Sequence, residues 1–270
     1  MQKVFRLAFC AMLWMLCGAS IARADDEPPP NYWPAPFGGR FNANFTFASD
    51  YAANGISNTQ LGPAFQAGMD YRSPNLLPRD QPPLWLYGSV FGSNVSFPNI
   101  GGGTEIDLSA GLKMRLLADR LSLSLGYIRY LFPDIPAHFG WSYGEVELKA
   151  DYDFGPATVS GRLRYSSNAQ GGVGRSWNKR ALVSAPLSFV KLPFDARMRL
   201  YGSLGDFWGE KPEAVGLPAH DYLYWQVGLV TSVWGLDVTL AYTDTDIAYE
   251  GCGYTRLCAA RAFFSVTKVF

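Results

Sequence analysis

Histidine is almost absent from this chain, with His138 and His220 the two present, and cysteine is scarce, with four residues of which Cys10 and Cys17 lie near the start. Each histidine falls in a predicted loop, outside any ligand-spaced motif. Even with Asp134 or Asp221 as a helper, neither makes a zinc site, and neither shares a strand face with a serine as a barrel hydrolase would require. The run Gly101-Gly102-Gly103 precedes a strand pattern and reads as a flexible loop, not a phosphate cradle. No enzyme activity, metal or other cofactor is expected. A basic excess is missing too, since 23 Lys and Arg stand against 23 Asp and Glu, and this argues against nucleic acid as a partner. After residue 24 no run of eighteen apolar residues occurs, so a transmembrane helix is excluded on length.

What is present begins with an export signal. Lys3 and Arg6 precede an apolar run from Leu7 to Leu16, and Ala22-Arg23-Ala24 forms a small-x-small cleavage site, giving a signal peptide over residues 1–24. Leu16 before Cys17 is the wrong neighbour for a lipid anchor. Removing Lys3, Arg6 and Arg23 leaves 20 basic and 23 acidic residues, a mature net charge of −3. Export without a spanning helix leaves a soluble secreted protein or a closed barrel in an outer membrane. Residues 25–40, with Pro28, Pro29, Pro30, Pro34 and Pro36, read as an extended periplasmic leader, and 41–270 as the folded domain.

The domain is patterned with period two. From Thr104 to Arg115, Ile106, Leu108, Ala110, Leu112 and Met114 alternate with Glu105, Asp107, Ser109, Gly111, Lys113 and Arg115, which a strand sorts onto two faces. Similar alternation predicts strands at Phe41–Phe47, Phe65–Tyr71, Trp85–Val95, Leu121–Tyr127, Glu145–Asp153, Val159–Tyr165, Ala181–Phe189, Arg197–Leu204, Tyr222–Trp234, Leu236–Thr243 and Ala259–Phe270. Pro186 inside the eighth predicts a bulge or an early end. That makes about twelve strands. The predicted connections at one end are short, at Leu117–Arg120, Gly155-Pro156, Lys191–Asp195 and Trp234-Gly235, while those after the odd-numbered strands run to roughly eight to sixteen residues. The Pro-rich Ser73 to Leu84 connection departs from this by being long on the short side. Short turns inside and long loops outside predict an all-β, antiparallel, up-and-down transmembrane β-barrel in the bacterial outer membrane, with both termini on the periplasmic side. The closing aromatic Phe270 is of the kind that barrel assembly machinery reads, with Lys268 reaching the inner headgroups.

Several segments carry a resemblance to a known family. Ser49-Asp50-Tyr51 with Gly55-Ile56-Ser57, Pro63 to Gly68 with Asp70-Tyr71, Gly92-Ser93-Asn94-Val95, Glu105-Ile106-Asp107-Leu108, Gly126-Tyr127, Tyr143-Gly144-Glu145 and Ser265-Val266-Thr267-Lys268 resemble the TorF family of porin-like exported proteins. Ala52-Ala53-Asn54 departs from the arginine expected there. The resemblance implies a porin-like barrel and names no solute.

With apolar residues outward, the opposite parity lines a lumen of both signs. Candidates are Glu105, Asp107, Lys113, Arg115, Glu145, Glu147, Lys149, Asp151, Arg162, Arg164, Arg197 and Arg199, and Asp153 faces inward with them. Two outcomes are open: a wet charged path for small hydrophilic solutes or ions, or acids and arginines of neighbouring strands pairing until the barrel is plugged. The matching functions are passive diffusion through a porin-like channel and a non-conducting structural or adhesive barrel. Cys252 and Cys258 read as a disulfide in the last outer loop. Arg129 breaks the apolar parity near an outer strand end, where it meets lipopolysaccharide phosphate or snorkels among outer-membrane lipids.

Overall fold

Twelve strands close on one another in the computed structural model, which describes residues 33–98 and 100–270. They are β1 (Arg40–Ala48), β2 (Ala64–Arg72), β3 (Leu84–Phe97), β4 (Gly101–Leu116), β5 (Leu121–Leu131), β6 (Tyr143–Asp153), β7 (Thr158–Ala169), β8 (Gly174–Pro186), β9 (Arg197–Gly209), β10 (Asp221–Val233), β11 (Leu236–Thr245) and β12 (Arg261–Val269). Each pairs antiparallel with its sequence neighbour, and β12 returns to β1 with Val266 opposite Phe47, so no sheet edge is left open. The two-residue stretch Trp33–Pro34 adds a short rung on β1, with Trp33 edge-on to Phe41 at 5.4 Å. The predicted signal peptide and residues 25–32 lie outside the described residues.

The alternation in sequence becomes two surfaces. Leu108 and Leu148, 42% and 49% exposed, point away from the centre, as do Leu112, Leu125, Leu200 and Leu240. Glu105, Glu145, Arg162, Ser176 and Ser203 on the other parity are buried inside. This is the outward apolar, inward polar order of a membrane barrel, and the reverse of a soluble sheet packed on an oily core.

Several boundaries differ from expectation. The outer connections after β3 and β7 are short, at residues 98–100 and 170–173, because the flanking strands continue past the predicted ends. Gly101-Gly102-Gly103 is strand, not loop, pairing with Phe97, Ser96 and Val95. The ladder binds backbone whether or not a side chain is present, and a Cβ on Gly103 would come within 2.9 Å of Asp134 Cβ. The eighth strand runs Gly174–Pro186, earlier than the predicted Ala181–Phe189, and ends where proline has no N–H to give. Residues 73–83 extend the ladder: Ser73 N donates to Leu86 O at 2.9 Å, Leu76 N to Leu84 O at 2.8 Å, and Asn75 Oδ1 accepts from Leu84 N at 2.9 Å. The tight Trp234-Gly235 turn has φ of 53° and 70°, the primed geometry that matches strand twist.

Candidate functional site

The barrel interior is built by register. Reading across the sheet on one inward row, Lys113 of β4 lies opposite Ser124 of β5, Ser124 opposite Lys149, Lys149 opposite Arg162, and Arg162 opposite Arg180 of β8. The next row places Glu147 opposite Arg164 and Arg164 opposite Asn178. From β7 to β10 no carboxylate occupies an inward position, since Asp206 and Asp221 share the outward parity. Most inward acids sit instead on β4 and β6, as Glu105, Asp107, Glu145, Glu147 and Asp151, with Asp70 of β2 and Asp237 of β11 also on the cavity wall. The β7 to β10 arc of the lumen is therefore basic, while the rest carries both signs, with Lys113 and Lys149 among the acids.

Where the two zones meet, charges are paired. Arg164 Nε donates to Glu147 Oε2 at 2.6 Å, its Nη1 donates to Tyr130 Oη at 2.7 Å, and it lies 3.6 Å from Glu145 Oε2. Tyr130 Oη donates onward to Glu145 Oε2 at 2.9 Å. Lys149 lies 3.3 Å from Asp151. On the basic side, Arg162 Nη2 donates to Asn178 Oδ1 at 3.3 Å, and Tyr224 Oη donates to the same oxygen at 2.8 Å. Arg180 Nη2 donates to Ser203 Oγ at 2.9 Å and Gln226 Oε1 at 3.2 Å, with its guanidinium over the Tyr224 ring. At the inner mouth Arg72 and Arg115 lie 5.2 and 5.3 Å from the Trp85 ring centre.

The outer half is narrowed by residues 49–63, the connection between β1 and β2. Asn54 and Gly55, at φ 49° and 82°, turn a hairpin that pairs Ala52 with Ser57 and Ala53 with Ile56. The hairpin tip packs against β10 and β11, where a Cβ on Gly55 would collide with Thr245 and Tyr224. Buried Asp50 fastens it, accepting from Arg261 Nε at 2.6 Å, Ser57 Oγ at 2.5 Å and Thr59 Oγ1 at 3.0 Å. Arg261 Nη1 donates to the carbonyls of Gly55, Leu257 and Ala259. From the same connection Tyr51 Oη donates to Glu105 Oε1 at 3.2 Å, and burial, followed by the nearby Glu105 and Asp107 charges, pushes its phenol well up. Beside it Val95, Phe97, Ile128, Tyr130, Phe132 and Ile135 form a small apolar core inside the barrel. Cys252 and Cys258 are joined by a disulfide that brackets Leu257, whose carbonyl accepts from Ser57 N at 3.0 Å.

A cavity of about 1450 Å³ remains, lined at one end by Arg72, Trp85, Lys113 and Val269 and at the other by His138, Gly216, Cys252 and Gly253. Of the residues singled out from sequence, Glu105, Asp107, Lys113, Glu145, Glu147, Lys149, Arg162, Arg164 and Arg199 border it. Arg115 stacks on Trp85, Asp151 pairs with Lys149, and Arg197 and Asp153 are exposed at strand ends. Sequence reasoning missed Arg180, because the eighth strand was placed too late, and missed the Asp50–Arg261 latch. The Asn54-Gly55 dipeptide, a strong hairpin signal, could have revealed the inserted connection. His220 Nδ1 lies 2.9 Å from the Gly209 carbonyl oxygen, and among the described residues no group of three or more His, Cys, Asp or Glu could hold a metal.

Fold and interior together define a closed antiparallel barrel with a charged lumen, in the architecture of outer-membrane barrels. Residues 35–270 match the model of a family described as bacterial protein of unknown function (Gcw_chp), and the chain belongs to that family. No curated protein matches it. Among solved structures it is similar to one from a report on the in-meso crystallization of membrane proteins, at 8% identity and TM-score 0.50, covering 85% of this chain and 83% of that one. It is also similar to the COG4313 outer membrane channel from Pseudomonas putida F1, at 13% identity and TM-score 0.46, covering 90% and 99%. The NanC porin follows at 10% identity and TM-score 0.45, covering 85% and 98%.

Proposed function

We propose that this protein is an outer-membrane channel for passive diffusion of small hydrophilic solutes or ions, exported by its signal peptide and akin to the TorF-family porins its sequence resembles. The observation that carries it is the cavity of about 1450 Å³ whose lining runs from the inner mouth at Arg72 to the outer loops at Gly253. The basic wall over β7 to β10 favours anions in transit, since a narrow wet passage between low-dielectric walls focuses the field of its lining. The residues 49–63 act as the constriction.

Planar-bilayer recording of the refolded protein tests this. Discrete conductance steps are expected, and Arg162→Glu is expected to move the reversal potential in a salt gradient toward cation preference. Silence at every voltage would overturn conduction and favour the second reading, a structural or adhesive barrel. That reading has its own support in the Tyr51 connection and the apolar core around Phe97 and Phe132, which occupy the outer lumen.

A further inference from the structure

Cross-strand pairing sets an aromatic row on the outside of the barrel near its outer end. Tyr127 of β5 lies opposite Val146, Val146 opposite Tyr165, Tyr165 opposite Trp177, and Trp177 opposite Trp208. The Tyr165 and Trp177 rings pack at a tilt of 43° with centroids 4.6 Å apart. Such a girdle marks the level where hydrocarbon gives way to headgroups. Arg129, on the same outward parity as Tyr127 and two residues further out, therefore stands at headgroup level, and it is exposed.

The partner of Arg129 across the ladder is Gly144, and the Tyr127 phenol lies over that glycine, where a Cβ would collide with its hydroxyl. Beside it runs an outward groove of about 260 Å³ whose lining includes Tyr127, Arg129, Ser142, Gly144, Ser167 and Asn168. Among the described residues no carboxylate lines it, and no hydrogen bond or ion pair engages the Arg129 guanidinium. A guanidinium ringed by hydroxyls and an amide, at the rim of an apolar band, is chemistry for a phosphate.

We infer that this groove binds the phosphate of an outer-leaflet glycolipid, with Arg129 as the charge partner and the Tyr165–Trp177 row against the acyl region. The inference rests on the membrane placement proposed above, though not on conduction.

The test is native mass spectrometry of the refolded protein in phosphatidylcholine nanodiscs, titrated with lipid A, with lipid A stripped of phosphate, or with inorganic phosphate. Lipid A is expected to be retained about tenfold more strongly by the wild type than by Arg129→Gln, the loss typical of one charge-assisted contact, with partial recovery in Arg129→Lys. The stripped lipid is expected to bind the wild type at the Arg129→Gln level, an arm that needs no variant to fold. Equal retention of the two lipids by the wild type would overturn the inference. Displacement by millimolar inorganic phosphate would overturn it in favour of a free-anion site. Heat-modifiable migration of the protein recovered from nanodiscs reports barrel insertion: a chain that never inserts defeats the membrane placement, whereas an inserted barrel indifferent to phosphate defeats the groove alone.

Discussion

Arg164 sits where the basic arc of the lumen meets the acids of β6, and it touches Glu147, Glu145 and Tyr130 together. Replacing it with methionine keeps the volume and leaves two inward carboxylates without their cation, which for a buried pair costs about 3–5 kcal/mol. The urea midpoint of the refolded Arg164→Met barrel should fall accordingly, while Lys149→Met, which gives up a 3.3 Å pairing with Asp151 alone, should fall less. Equal losses would show that the Arg164 contacts carry no special weight. The arginine and acids of β6 and β7 bond between neighbouring strands, as one of the alternatives left open by the sequence has it, and a cavity remains beside them.

Among the elements, the hairpin between β1 and β2 is the most informative. Gly55 has φ of 82°, and any side chain there meets Thr245 and Tyr224. Gly55→Val adds a left-handed backbone cost of about 1–2 kcal/mol to that collision, so the hairpin should lift from the wall and the unit conductance should rise. An unchanged conductance would mean that the hairpin does not limit the passage. The strands themselves were legible, because a period of two sustained over a segment such as Ile106 to Met114 has one geometric solution. Their outer ends were not. Gly101-Gly102-Gly103 and Gly174 to Arg180 have no apolar alternation to betray them, and there the backbone ladder alone decides. For the same reason Arg180, which faces Arg162 across the ladder, could not be placed from sequence. The inward apolar core around Phe97 and Phe132 was hidden for a different reason, since the parity rule assigns such residues outside and only the fold brings Trp141, Tyr143 and Tyr51 together around them.

At the scale of the whole molecule, the apolar exterior is the condition for everything inside it. Leu148 lies midway along β6 and points outward. Leu148→Arg should cost about 2–4 kcal/mol in a bilayer, as a cation on the lipid face near the middle of a strand does. The matching change at Asp153, on the strand end, should cost little. Urea unfolding in liposomes would separate the two, and equal costs would argue that the outward surface does not meet hydrocarbon.

The seam between β12 and β1 holds five residue pairs, from Ser265 with Ala48 to Val269 with Asn44, whereas β3 and β4 share fourteen. Phe270 adds a reciprocal bond pair with Ala43 at its foot. A cylinder stapled so unevenly has a built-in zipper: tugged from either end, it should part along that line first and then surrender its hairpins one after another, leaving the long central staves until last.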